Sequence, residues 1–264
     1  MYLENTFGTG GGTPVKGLIT AFVLVLAIWL VWAAASAGSP VFDMPEITSA
    51  AYLLYDADLG RVVAHRSGYE RRSIASITKV MTLLYAVELI EAGKISLSDQ
   101  VTDSARAERR DGTQIKLRAG DTFTVEELLY ATALQSANDA AVALAEYIAG
   151  SEAEFTKLMN ERARALGLED TNYVDCTGLL SHFSGNYSSA YDQARLLSTA
   201  MGHRLFRDIF ATEKYYLKAQ KREIANTHPL LGEVEGVEGG KTGATTPAGH
   251  TLITSTTRSG RRLI

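Results

Sequence analysis

Apolar residues at Ile77, Val80, Met81, Leu84, Val87 and Ile90 recur at three- and four-residue steps, the period of a helix that buries one face. Gly93 supplies a C-terminal stop, and Ser73, Ile74, Ala75 and Ser76 supply the small and polar groups found at helix starts. Ser76 therefore falls in the first turn. Lys79, three residues on, projects from nearly the same side, so its amine is within reach of the Ser76 hydroxyl.

Upstream, AAYLLYD and RVVAHRS read as two strands joined by the turn Ala57-Asp58-Leu59-Gly60, an antiparallel hairpin that leads directly into the helix. Residues 95–123 alternate weakly and are punctuated by Asp and Gly, the signature of short strands and loops over a helical lobe. Next come two helices, VEELLYATAL and DAAVALAEYIAG, separated by the polar interruption Gln135-Ser136-Ala137-Asn138. Ser151 with Glu154, and Ser189 with Asp192, mark capping boxes for two more. Between them, residues 172–187 form a long polar and aromatic loop suited to one wall of a cleft.

From Glu213 the pattern returns to strands: EKYYLKA, REIANT, GGKTGATT and GHTLITSTT. Sheet at both ends with helices between predicts an α+β domain, its antiparallel sheet built from both chain ends and flanked by helices, beside a mostly helical lobe. After a turn at Arg258-Ser259-Gly260, the residues Arg262-Leu263-Ile264 read as the opening of one more strand. The expectation is a chain truncated before the last strand and helix, with its sheet lacking an edge strand.

Composition narrows this only at the start of the chain. Leu18 to Ala37 carries no charge and is long enough to span a bilayer or to form a signal-peptide core. Ahead of it lies a polar tail, residues 1–17, whose only basic residue is Lys16; Ala35-Ser36-Ala37 fits a cleavage site. Cleavage after Ala37 is the preferred reading and an uncleaved anchor the alternative; either places residues 38 onward outside the cytoplasmic membrane. Residues 38–46 make a linker, and 47–264 the catalytic domain. A net charge of −4 gives no basic excess for nucleic acid. The single cysteine, Cys176, excludes an intrachain disulfide and reads as a small buried residue.

Taken alone, Ser76 and Lys79 also describe a capping serine and a surface lysine. Gln135 to Asn138 likewise reads as a helix corner where Asn138 or Asp139 caps the second helix. GVEGGKTG invites a phosphate-loop reading, but Gly236 is one residue too close to Gly240 and no helix is expected after it. His65, His182, His203, His228 and His250 show no metal-ligand spacing, so no metal or other cofactor is expected. GxSxG is absent.

The three short motifs change the picture when taken in order: S-I-T-K at a helix start, S-A-N at a helix corner, K-T-G on a strand. This trio marks serine β-lactamases and penicillin-binding proteins. From about Ile47 to the end the sequence resembles the serine-type D-alanyl-D-alanine carboxypeptidases, the low-molecular-weight penicillin-binding proteins. The likeness extends to AAYLLYDADLGRVVAHRSGYERRSIASITKVMT, ALQSANDAAVALAEYIAGS, LMNERARALGLEDTNYVDCTGL and NTHPLLGEVEGVEGGKTGAT.

The resemblance implies a peptidoglycan stem peptide ending in D-Ala-D-Ala as substrate and β-lactams as covalent inhibitors. It implies Ser76 as nucleophile, Lys79 as its base, and Ser136 as the proton donor to the departing amine. Asn138 would hold the acyl-side amide; Lys241 and Thr242 would take the terminal carboxylate; Gly243 would let substrate lie along the strand. The N–H groups of Ser76 and Ala244 would form the oxyanion hole. It also implies membrane association, through the N-terminal segment or a C-terminal anchor. Ala137 stands where Gly is common in the family, and Ala244 where a larger residue often comes after K-T-G.

One alternative is a class A β-lactamase, which needs a glutamate for deacylation; Glu169 lies in the right region but continues as Asp170, Thr171, Asn172 and does not match. The other is a non-hydrolytic β-lactam or muropeptide sensor.

Overall fold

In the computed structural model, which describes residues 46–179 and 185–264, strand β1 (Tyr52–Asp56) turns back on β2 (Arg61–Arg66). The turn is fixed by Asp56, whose Oδ1 accepts from the Leu59 N–H at 2.9 Å, and by Gly60 at φ +63°, a conformation that favours glycine. The short β3 (Arg72–Ser73) leads to a 3₁₀ turn (Ala75–Thr78) and helix α1 (Lys79–Glu91). Then come β4 (Gln100–Thr102), α2 (Ala105–Glu108), β5 (Thr122–Thr124), α3 (Val125–Leu134), α4 (Asn138–Ala149) and α5 (Glu152–Ala165). The second half of the chain adds β6 (Tyr187–Ser188), α6 (Ala190–Ala200), α7 (Arg204–Phe210), β7 (Lys214–Leu217), β8 (Arg222–Ala225), β9 (Val237–Thr245), β10 (Gly249–Arg258) and β11 (Arg261–Leu263).

The main sheet runs β2-β1-β11-β10-β9, antiparallel at every pairing. The α+β reading with both chain ends in one sheet is therefore correct. The strand that opens at Arg261, however, is an interior strand and not an edge strand. Strand β11 enters between β10 and β1, in the interior of the sheet, after a two-residue turn in which Ser259 and Gly260 both hold positive φ; such turns match the twist of the flanking strands. Arg262 stitches it in place, its guanidinium forked onto the Glu238 carboxylate of β9 with both contacts at 2.9 Å.

A second correction concerns EKYYLKA and REIANT. These form a separate ribbon, β7–β8, that joins no other strand among the described residues. Its buried Leu217 and Ile224 and the ring of Tyr215 turn toward α3, where Tyr215 stacks on Tyr130 with centroids 3.9 Å apart. Ala219 N–H donates to Glu127 of α3 at 2.9 Å, and Gln135 donates to the Ala225 carbonyl at 2.6 Å.

Helices α1 and α4 form the centre of the core. The periodicity of α1 indicates one buried face, yet Thr82, Leu83 and Ala86 are buried along with Val80, Met81, Leu84 and Val87, so every residue from Lys79 to Leu84 is enclosed. In α4 every residue from Asn138 to Ala145 is buried, which its alanines permit by letting neighbours approach closely. Each fully buried Leu or Val contributes roughly 1.5–3 kcal/mol.

The two capping boxes form by halves. Ser151 and Ser189 accept from the N–H groups of Glu154 and Asp192 at 3.2 and 3.1 Å, while the Glu154 carboxylate pairs with Lys157 and that of Asp192 accepts from Thr171 and the Asp170 N–H. The reciprocal box is at α3, between Thr124 and Glu127. Residues 1–17, the apolar run 18–37 and its cleavage site lie outside the described residues, among which no helix is long and apolar enough to cross a membrane. Residues Ser49–Ile264 form one compact unit.

Candidate active site

Ser76 occupies the second position of the 3₁₀ turn, and Ala75 before it holds φ +49°. Two neighbours fix this turn. Thr251 of β10 donates to the Ile74 carbonyl at 3.2 Å. Gly178, at φ +80°, lies so close that a Cβ built on it would sit 1.8 Å from the Ala75 oxygen, so only glycine brings that loop against the serine.

Lys79 opens α1 fully buried. Its Nζ lies 2.9 Å from Ser76 Oγ and donates to the Thr177 carbonyl at 2.8 Å. Burial holds its pKa well below the ordinary lysine range, and the positive charge of Lys241 pushes the same way. A neutral amine held this way presents its lone pair to the serine hydroxyl, the arrangement a serine needs to become a nucleophile.

Lys241, also fully buried, is carried by β9 and donates to the Thr242 carbonyl at 3.0 Å; burial alone brings its pKa down to about 7. Gly243 comes two residues later in close contact with the turn, since a Cβ there would lie 2.7 Å from Ser76 N and 3.0 Å from the Ala75 Cβ. Thr242 is half-buried, and Ala244 is exposed opposite His250. The K-T-G run lies within a strand that leads into another strand, as the rejection of a phosphate loop requires.

Ser136 and Asn138 form the corner between α3 and α4. Ser136 holds φ +56°, strained for a residue with a side chain. Its buried hydroxyl finds no partner among the described residues, and neither does Asn138 Oδ1. Asn138 is gripped from its other side: its side-chain amide donates to the Asp111 carbonyl at 2.7 Å and its backbone N–H to Thr113 at 2.7 Å. Helix α4 takes Ala137 as N-cap without a side-chain cap. Asp139 instead accepts from the N–H groups of Ile115 and Leu117, both at 3.1 Å. The corner is therefore more than a cap. A buried unsatisfied polar atom costs about 1–3 kcal/mol, and these two, one of them on the strained Ser136 itself, are left able to accept or donate a ligand's hydrogen bonds.

Ser76 thus meets Lys79 and Gly243 directly, and Lys241 lies near enough for its charge to act on the Lys79 amine. Asn138, two residues after Ser136, is tied to them through the loop 110–113, whose Arg110 donates to Thr177 Oγ1 at 2.9 Å. Sequence reasoning missed Arg110, Asp175, Thr177 and Gly178. Only Asp175 to Gly178 carried a signal, an Asp with a Gly three residues on, the pattern of a side-chain-capped turn. Cys176 is buried with its thiol pKa pushed up by burial. Among the described residues no cluster of three or more His, Cys, Asp or Glu is arranged to hold a metal ion.

A family model described as D-alanyl-D-alanine carboxypeptidase matches residues 37–264. D-alanyl-D-alanine carboxypeptidase DacF of Bacillus subtilis is 39% identical over 215 residues, which are 80% of this chain and 55% of that protein. D-alanyl-D-alanine carboxypeptidase DacC of Escherichia coli is 34% identical over 237 residues, 87% of this chain and 58% of that one. The chain therefore spans a little over half the length of these curated relatives. The crystal structure of penicillin binding protein 6B from Escherichia coli superposes with a TM-score of 0.77 at 32% identity, covering 86% of this chain and 72% of that one.

Proposed function

Because the chain belongs to the D-alanyl-D-alanine carboxypeptidase family, we propose that it removes the terminal D-Ala from peptidoglycan stem peptides through an acyl-enzyme on Ser76. The observation that carries this reading is the buried Lys79 amine 2.9 Å from the Ser76 hydroxyl, its proton affinity lowered by burial and by Lys241.

In this mechanism Lys79, neutral, takes the proton from Ser76 as Oγ attacks the carbonyl of the penultimate D-Ala. The oxyanion is met by the N–H groups of Ser76 and Ala244; the close approach of Gly243, the residue before Ala244, to Ser76 N supports this. The C–N bond breaks, Ser136 passes the proton to the departing amine, and D-Ala leaves. Asn138 holds the acyl-side amide with its unpaired oxygen. Lys241 and Thr242 bind the terminal carboxylate. Water then attacks the ester, adding its hydroxyl to the acyl carbon and returning a proton to Ser76. Penicillins, cyclic mimics of D-Ala-D-Ala, acylate the same serine and leave slowly.

Residues 47–264 form the catalytic domain. The chain acts outside the cytoplasm, either released after cleavage at Ala37 or held at the membrane by residues 18–37 or by a C-terminal anchor; the apolar, uncharged run supports this.

Incubation with diacetyl-Lys-D-Ala-D-Ala tests the assignment. The parent is expected to release D-alanine and Ser76→Ala none. Equal release from both would remove Ser76 from its role. Steady turnover of a chromogenic cephalosporin would favour a β-lactamase, and acylation without D-alanine release a sensor.

A further inference from the structure

The Lys79 amine is oriented by one backbone carbonyl, that of Thr177, and the carbonyl itself is held with unusual completeness. Asp175 Oδ1 accepts three hydrogen bonds from the loop it opens: from Thr177 N–H at 2.6 Å, Thr177 Oγ1 at 2.8 Å and Gly178 N–H at 2.6 Å. Arg110 reaches in from the loop between α2 and β5, donating to Thr177 Oγ1 and pairing with Asp175 at 3.5 Å and Glu152 at 3.2 Å. Asp175 and Glu152 are almost wholly buried and Arg110 nearly so. An ion cluster of this kind is no efficient source of stability, because desolvation offsets most of its Coulomb energy. What it does provide is fixed geometry.

That geometry has a functional target. We propose that Arg110 and Asp175 are positioning residues for Lys79, acting through the Thr177 carbonyl. The inference rests on the carboxypeptidase reading above and deepens it. Three further observations support it. The Cys176 carbonyl accepts from Thr82 of α1 at 2.7 Å, so the loop is pinned to the helix that bears the lysine. Gly178 closes against the Ala75 carbonyl, so the loop is also pinned to the serine turn. Lastly, the residue after Arg110 gives its carbonyl to the Asn138 amide at 2.7 Å, so one short segment sets both the base and the amide that flanks the substrate.

The pair also sets the field on the amine. Lys79 faces Lys241 from β9, Arg110 from its loop, and Asp175 and Cys176 from theirs. The Cys176 thiol stays neutral at working pH because burial raises its pKa. Asp175 therefore favours the ammonium form, while Arg110 and Lys241 favour the neutral amine.

The test is the second-order rate of Ser76 acylation by a fluorescent penicillin, measured between about pH 5 and pH 10. Asp175→Asn keeps an oxygen to accept the loop's hydrogen bonds but removes the charge; its acid limb is expected at lower pH than the parent's. Arg110→Gln removes the opposing charge, and its acid limb is expected at higher pH. Thr177→Val, neutral and of similar volume, is expected to lose at least about tenfold in rate with the limb unmoved. If Arg110→Gln fails to fold, the other two variants decide. Limbs that stay in place in the charge variants, limbs that move in the same direction, or Thr177→Val within about twofold of the parent would each overturn the proposal. A parent that is not acylated at Ser76 would instead overturn the carboxypeptidase reading, so the two failures are distinct.

Discussion

Gly243 lies against Ser76 with no room for a side chain: a Cβ on residue 243 would stand 2.7 Å from the Ser76 nitrogen and 2.6 Å from Thr251 Oγ1. Rotating the threonine away would give up its hydrogen bond to the Ile74 carbonyl, and the serine's backbone cannot yield without moving the nucleophile. Gly243→Ala is therefore expected to cost about 1–3 kcal/mol of stability, as overpacking does, and about 10- to 100-fold in acylation rate. Gly178→Ala serves as the comparison. Its Cβ would be 1.8 Å from the Ala75 oxygen at φ +80°, so its loss should be chiefly of fold. Thermal melts beside acylation kinetics separate the two, and a Gly243→Ala variant acylated at the parental rate would show that the contact is incidental.

Lys241 sets a limit on the alkaline side. With its pKa brought down to about 7 by burial, the ammonium that would bind the substrate carboxylate is lost as pH rises through that value. The peptide kcat/KM, which reports on free enzyme, should fall above about pH 7, while Lys79 sets the acid limb; the apparent values belong to the coupled pair. The sign for stability is opposite. The folded state binds fewer protons than the unfolded chain between about 7 and the ordinary 10.5, so stability rises with pH across that window. Lys241→Met should flatten the slope, raise stability near neutrality and abolish peptide cleavage. Urea titrations at several pH values check the first part, and an unchanged slope would refute it.

Which of these features could be read from the chain alone depends on how local they are. Ser76 and Lys79 were legible because three residues on a helical period fix two side chains on one side, and their 2.9 Å contact matches that reading. The enclosure of α1 was not, because Thr82 and Ala86 count as neutral in a hydrophobic pattern yet are buried by the elements packed on them. Thr124 and Glu127 carried a capping signature in plain sight, masked by the strand before it. Arg110 had no such signal, and Asp175 had only the Gly three residues after it. The two meet across 65 residues of chain, and nothing local to Arg110 distinguishes it from a surface charge. The ribbon β7–β8 was legible as strands but not as a unit apart from the sheet, since partner choice depends on α3.

Asp103 lies buried after β4, and neither of its carboxylate oxygens has a protein partner among the described residues. Burial, aided by Asp121, Asp139 and Glu146, raises its pKa to about 7. Its ordinary value is 3.8, so the folded state holds a proton that the unfolded chain has released. The stability this contributes is complete below the unfolded value and is lost as pH rises through the folded one. Asp103→Asn fixes the neutral form. The substitution is expected to stabilise by about 1–3 kcal/mol more at about pH 8 than at about pH 5. Its carboxylate makes no hydrogen bond to Ser76 or Lys79, and acylation by penicillin should change little. Chemical denaturation of both proteins at the two pH values decides it: equal gains at both would mean that Asp103 is already satisfied and ionised in the folded chain.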